Sequence, residues 1–113
     1  MTNNPPYEAE VTFENAVNAN GWSSPPLTSW LSNALDEAAS LYFGKRHLSQ
    51  GEGGSIPFLG LLGAIWPKAQ FIVTGVLGPN SNAHGPNEFL HIDYTLRLTQ
   101  AIAHVLARAS EAK

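Results

Sequence analysis

The chain contains no cysteine. That excludes disulfides and thiolate metal sites, so any metal here must be held by imidazole and carboxylate groups. Charge is also scarce. Only 13% of the 113 residues are charged and the net charge is −3. The largest basic cluster is Lys45-Arg46-His47, which reads as a solvated loop, and this balance excludes a nucleic-acid partner or an anionic membrane surface. No apolar run approaches the ~18 residues of a membrane span, and the polar start of residues 1–6 does not read as a signal peptide. A cytoplasmic protein is the expectation. At 43% hydrophobic the composition is globular, and the length suits one core without staples.

Glycine and proline cluster at two polar turns that flank a thoroughly apolar stretch. One is Glu52-Gly53-Gly54-Ser55-Ile56-Pro57, and the other is Ala83-His84-Gly85-Pro86-Asn87-Glu88-Phe89. Around them the pattern divides the chain. Residues 10–14, Glu-Val-Thr-Phe-Glu, alternate charged with apolar or β-branched side chains and predict a strand with one buried face. A connector over residues 18–26 follows. Trp22 within it is too large to leave wet and should pin the connector to something.

Thr28 is placed to cap a first helix over residues 30–43, with Gly44 as its stop. Trp30, Ala34, Leu35, Ala38, Leu41 and Tyr42 fall on its apolar stripe; Asn33, Asp36, Glu37 and Ser40 face away. Residues 56–66 predict a short apolar helix whose Gly60 and Gly63 suit close packing against a neighbouring backbone. Residues 70–76, Gln-Phe-Ile-Val-Thr-Gly-Val, are apolar on both faces and read as a central strand. A long loop over residues 77–90 comes next, of a length that is usually functional. A final helix is expected over residues 94–109, capped by Asp93, with Leu98, Ile102, Val105, Leu106 and Ala109 buried. The order helix, strand, helix predicts an α/β layer with its ligand loop at the strand's carboxyl end.

The chemistry gathers at the two turns. Ser55 sits where a helix cap belongs and Pro57 lies in the first turn, where its missing N–H costs nothing. Gly53 and Gly54 would let a ligand approach bare N–H groups at the positive end of the helix dipole, which favours a carboxylate or phosphate. On the turn alone, the reading of Ser55 as a helix cap and nothing more is the better one. His84 is one of four histidines, with His47, His91 and His104. Gly85 and Pro86 stiffen its loop, and Asn87 and Glu88 could orient an imidazole. His91-Ile92-Asp93 has a zinc-like spacing, but it stands before a helix, where Asp93 as a cap is the better reading. One histidine is not a metal site, because zinc takes three protein ligands and hydrolysis needs a general base.

At these residues a resemblance becomes specific. Glu52-Gly53-Gly54-Ser55-Ile56-Pro57-Phe58, then Gly75-Val76-Leu77-Gly78-Pro79, then Ala83-His84-Gly85-Pro86-Asn87-Glu88-Phe89-Leu90 resemble the C-terminal part of a zinc-dependent metallopeptidase family. That family includes carnosinase-like dipeptidases, aminoacylases and succinyl-diaminopimelate desuccinylase, and the dipeptidase branch is the better match. The likeness extends back through Asp36-Glu37-Ala38 and Phe43-Gly44-Lys45. It also takes in Pro6-Tyr7 and Val11-Thr12-Phe13, which resemble the last strand of the family's inserted lid or dimerisation domain.

The resemblance implies an α/β fold, with helices on a mixed sheet over residues 28–113 and a lid-domain remnant and connector over residues 1–27. It implies two zinc ions in the full-length parent, with His84 as the last metal ligand. It further implies that Ser55, with Glu52, Gly53 and Gly54 shaping its turn, contacts the carboxylate of a small peptide or N-acyl amino acid. Asn87 and Glu88 would support the His84 loop. The family's His-x-Asp pair, its Glu-Glu pair and a further acidic ligand lie upstream of the matching region and are not among these residues. Gly51 stands where the family often has a basic residue. The expectation is therefore a C-terminal fragment of a zinc-dependent dipeptidase, inactive alone, associating through exposed apolar surface or as part of a dimeric parent. The alternative is a non-catalytic interaction module or a remnant without function.

Overall fold

A computed structural model describes residues 6–12, 14, 20–52 and 56–112. It corrects the expected α/β arrangement. Among the described residues there are three α-helices, a single 3-10 turn at Pro6–Glu8, and no strand. The helices are α1, Ser29–Phe43; α2, Pro57–Ile65; and α3, Ile92–Glu111.

Both expected strands fail for the same physical reason. A strand exists only when a neighbour accepts its N–H groups and donates to its carbonyls. Among the described residues, 10–12 and 14 find no such neighbour (Phe13 lies outside them), and neither do residues 70–76. Residues 70–76 are tied down by side chains at their start instead. Gln70 Oε1 accepts a hydrogen bond from the Thr28 N–H at 2.7 Å. The Phe71 ring meets Trp22 edge-on, with centroids 5.1 Å apart. Beyond them Val73 is left more than half exposed. β-Branched content favours an extended chain but cannot supply the partner.

The first helix forms between the expected end residues. Thr28 is extended at the N-cap position, where its side chain makes no capping bond and its carbonyl accepts from Ser32 N–H at 2.9 Å. Gly44 ends the helix in the left-handed region (φ 71°), donating its N–H to the Ser40 carbonyl at 3.0 Å. That conformation is strained for any residue with a Cβ.

Helix α2 begins on Pro57. Its glycines do make close contact, but with an aromatic ring rather than a backbone. A Cβ on Gly63 would lie 3.4 Å from Trp22 Nε1, and one on Gly60 would lie 3.7 Å from Trp22 Cδ1. Trp22 thus fastens the connector to α2. Helix α3 starts two residues earlier than the sequence suggests, with His91 as its cap. His91 Nδ1 accepts from the Tyr94 N–H at 3.3 Å. Asp93 falls inside the first turn, where its charge meets the positive end of the helix dipole.

Helices α1 and α3 pack antiparallel. Phe43 at the end of α1 meets Tyr94 at the start of α3, and Glu37 farther up α1 meets Arg108 near the end of α3. The core between them is Leu31, Ala34, Ala38, Ala101 and Val105. Three of the five are alanines, which lets the two backbones approach. Leu41 and Leu106, expected in the core, are each 65% exposed. Two helices cover only a narrow seam, so the edges of each apolar stripe stay wet. The radius of gyration is 19.4 Å, against about 13 Å for a compact domain of this length.

Candidate functional site

The loop between residues 77 and 90 is ordered by its own polar groups. Ser81 is its buried post. Its Oγ accepts from the Gly78 N–H at 2.8 Å, its N–H donates to the Gly78 carbonyl at 3.1 Å, and its carbonyl accepts from Phe89 N–H at 3.1 Å. Asn82 makes the next clasp. Its carbonyl accepts from Gly85 N–H at 2.9 Å, and its side-chain Nδ2 donates to the Pro86 carbonyl at 2.5 Å. Four non-glycine residues of the loop, Asn80, Asn82, His84 and Asn87, have left-handed backbones with φ between 54° and 67°. Asparagine tolerates that region; a histidine there is uncommon.

His84 is exposed at the tip of this loop. Its backbone N–H donates to Glu88 Oε2 at 3.2 Å. Glu88 therefore supports the loop through the main chain rather than by orienting the imidazole. Asn87 is exposed, with φ 56°. No hydrogen bond to another described residue engages either ring nitrogen of His84. The other histidines differ. His47 Nδ1 lies 2.7 Å from Asp36 Oδ1. His91 Nδ1 caps α3. His104 Nε2 is buried, 3.4 Å from Glu37 Oε2 but without the alignment of a hydrogen bond.

The second turn is only partly in view. Glu52 is exposed and accepts from Gln50 Nε2 at 3.0 Å. Gly53, Gly54 and Ser55, expected to grip a carboxylate, lie outside the described residues. Ile56 is the residue that precedes α2 at its N-cap, and it makes no side-chain capping bond.

Among the described residues no three His, Asp or Glu side chains stand close enough to hold a metal ion. His84 stands in no such grouping with other His, Asp and Glu side chains among the described residues. Two shallow concavities lie elsewhere. One is between α1 and α3, lined by Trp30, Asn33, Glu37, Arg108 and Glu111, and the other follows α2 at Trp66, Pro67 and Lys68.

Sequence reasoning missed a pair of ion clusters on α1. Arg46 Nε donates to Asp36 Oδ2 at 3.0 Å, beside the His47 contact on the other oxygen. Arg108 grips Glu37 with two hydrogen bonds, Nε to Oε2 at 3.0 Å and Nη2 to Oε1 at 2.6 Å, and also donates to Glu111 at 3.0 Å. Hydrogen bonds from Arg46 hold the Asp36 carboxyl below its usual range; those from Arg108 do the same for Glu37. Only the Arg108–Glu111 pair was legible, from its i, i+3 spacing. Arg46 is paired with Asp36 while its side chain stays largely exposed to solvent. No helix of the described residues is long and apolar enough to cross a membrane.

No protein-family model matches the chain, and no curated protein matches it in sequence.

Proposed function

We propose that this chain is the C-terminal part of a metal-dependent hydrolase that cleaves dipeptides or related amides, and that it is inactive by itself. The observation that carries the reading is His84: an exposed imidazole, engaged by no other described residue, on a loop built from strained, mutually bonded residues. Strain of that kind concentrates where a side chain must be presented in one place. His84 would hold a zinc ion together with ligands from upstream chain. Bound zinc supplies Lewis-acid polarisation and an activated water. The Gly53-Gly54-Ser55 turn would take the substrate's carboxylate on its N–H groups, as a helix N-terminus favours anions. No residue of this chain is assigned as the general base.

Exposed apolar side chains support a role within something larger. Phe58, Leu61 and Ile65, at i, i+3 and i+7 of α2, are each more than half exposed. An exposed apolar patch of this kind marks an interaction surface. The same stripe also favours the second reading, a non-catalytic module that works by association. Under the hydrolase reading the parent would be a cytoplasmic homo-oligomer; under the second, the chain itself would associate.

The discriminating experiment is to express the complete reading frame that encodes these residues. Under the hydrolase reading it carries His-x-Asp and Glu-Glu upstream, binds two zinc ions and hydrolyses dipeptides. In that protein His84→Ala abolishes activity, while His104→Ala costs far less. Equal losses would sink the ligand assignment. The 113-residue chain alone is expected to lose zinc on dialysis, measured by elemental analysis, and to show no dipeptide hydrolysis. Two tightly held zinc ions per chain would show that the ligand set is complete after all.

A further inference from the structure

We infer that Asn20-Gly21 is a site of self-modification open in the folded protein, and that Trp22 confines the change to the connector. Of the asparagines in the chain, Asn20 alone is followed by glycine. Both residues are exposed, and the Gly21 N–H is engaged by no other described residue. The space about Gly21 is open, since a Cβ built there would meet no atom within 4 Å. A glycine nitrogen has no Cβ beside it to crowd an approaching carbonyl carbon, and its backbone turns freely toward the preceding side chain. Neither His84 nor the Gly53-Gly54-Ser55 turn takes part, so the inference stands or falls apart from the hydrolase reading.

The step balances with water as its co-reactant, and nothing is oxidised or reduced. The Gly21 nitrogen bonds to Asn20 Cγ, and the proton it gives up departs with the side-chain NH2 as ammonia. Water then opens the cyclic imide at either carbonyl. Opening at Cγ yields aspartate; opening at the main-chain carbonyl leaves isoaspartate, in which the backbone runs through Cβ and Cγ. The chain supplies its own comparison. Asn80-Ser81 presents the same reacting groups, but Ser81 is buried and its N–H donates to the Gly78 carbonyl at 3.1 Å. That hydrogen bond must open before the Ser81 nitrogen can react, which slows it by up to about tenfold.

Trp22 sets the downstream limit of the change. Its ring lies against Gly60 and Gly63 of α2 and meets Phe71 edge-on, with centroids 5.1 Å apart. The reacting bond lies before that anchor, and none of the three contacts runs through it. The linkage can therefore lengthen by the backbone carbon that isoaspartate adds while α2 stays covered. Each modified chain also gains a negative charge, so it separates from the unmodified one on anion exchange.

The test ages the purified 113-residue chain in mildly alkaline buffer, with and without urea. Peptide mass mapping follows each asparagine, and aspartyl and isoaspartyl standards identify the products. In the folded chain Asn20 should react about tenfold faster than Asn80, with isoaspartate among the products and hydrogen exchange along α2 unchanged. Urea should leave the Asn20 rate nearly as it was and raise the Asn80 rate. Gly21→Ala, whose new Cβ meets no neighbour and whose backbone is not left-handed, should keep the fold and suppress the reaction at Asn20. Equal rates at Asn20 and Asn80 in the folded chain would overturn the inference. So would an Asn20 rate that climbs in urea as the Asn80 rate does, because the fold would then be shielding the site. Aspartate as the sole product, or a Gly21→Ala chain that reacts like wild type, would rule out attack by the Gly21 nitrogen. Faster exchange along α2 in the modified chain would overturn the confinement by Trp22.

Discussion

Asp36 and Glu37 are neighbours on α1, yet each is claimed by a different part of the chain. Arg46 and His47, just beyond the helix, take Asp36; Arg108, most of the chain away, takes Glu37. Both carboxyls are held below their usual range by the arginine hydrogen bonds. A depressed folded value means that each contact is fully present above the unfolded carboxylate range. It is lost as pH falls through the depressed value. Circular dichroism should therefore show helix loss beginning below about pH 4. Glu37→Gln should remove most of that acid limb, because only the Glu37 contact joins the two helices. Asp36→Asn should remove little. Both pairs remain open to solvent, so this acid limb is shallow, and added salt makes it shallower. At the same scale, Gly85→Ala should loosen the His84 loop, seen as faster hydrogen exchange at Phe89, without changing helix content.

The hairpin of α1 and α3 rests on five side chains, and the largest of them is Leu31. Leu31→Ala should cost about 2–4 kcal/mol by urea unfolding. Leu41→Ala, on the same helix but exposed, should stay within about 0.5 kcal/mol. An equal loss at the two positions would mean that the helices face one another differently. Trp22→Ala should raise hydrogen exchange along α2 alone, since Trp22 covers the glycine face of that helix. These elements were legible to different degrees. Helix α1 was readable to within a residue because its signals are local, Thr28 before it and Gly44 after it. Residues 70–76 were misread because a strand is defined by a partner, and local pattern carries no information about whether one is present. The same limit applied to the site. Gly85 and Pro86 announced a stiff loop, but that Glu88 would bind the His84 backbone, and that Asn82 would span the turn, depends on left-handed backbones which composition does not encode.

Across the whole molecule, large apolar side chains remain at the surface along α2, through residues 72–77 and around residues 89–96. The chain alone should bind a hydrophobic dye and sediment as a concentration-dependent mixture. Replacing Phe58 and Leu61 together with Glu should shift that mixture toward monomer. An unchanged distribution would remove the α2 stripe from the association surface.

The separation of α1 from α3 has a consequence for biosynthesis. Leu31, Ala34 and Ala38 are translated well before Ala101 and Val105, the buried residues of α3 that cover them. At a synthesis rate of about 5–20 residues per second, α1 waits roughly 4–15 s for its cover. Through that interval the nascent chain carries an apolar helix face with nothing to meet it. Arg108 follows later still, so the Glu37 pair closes only after most of α3 has been made. A ribosome stalled before residue 92 would hold α1 without the helix that covers it, a natural client for a chaperone at the tunnel exit.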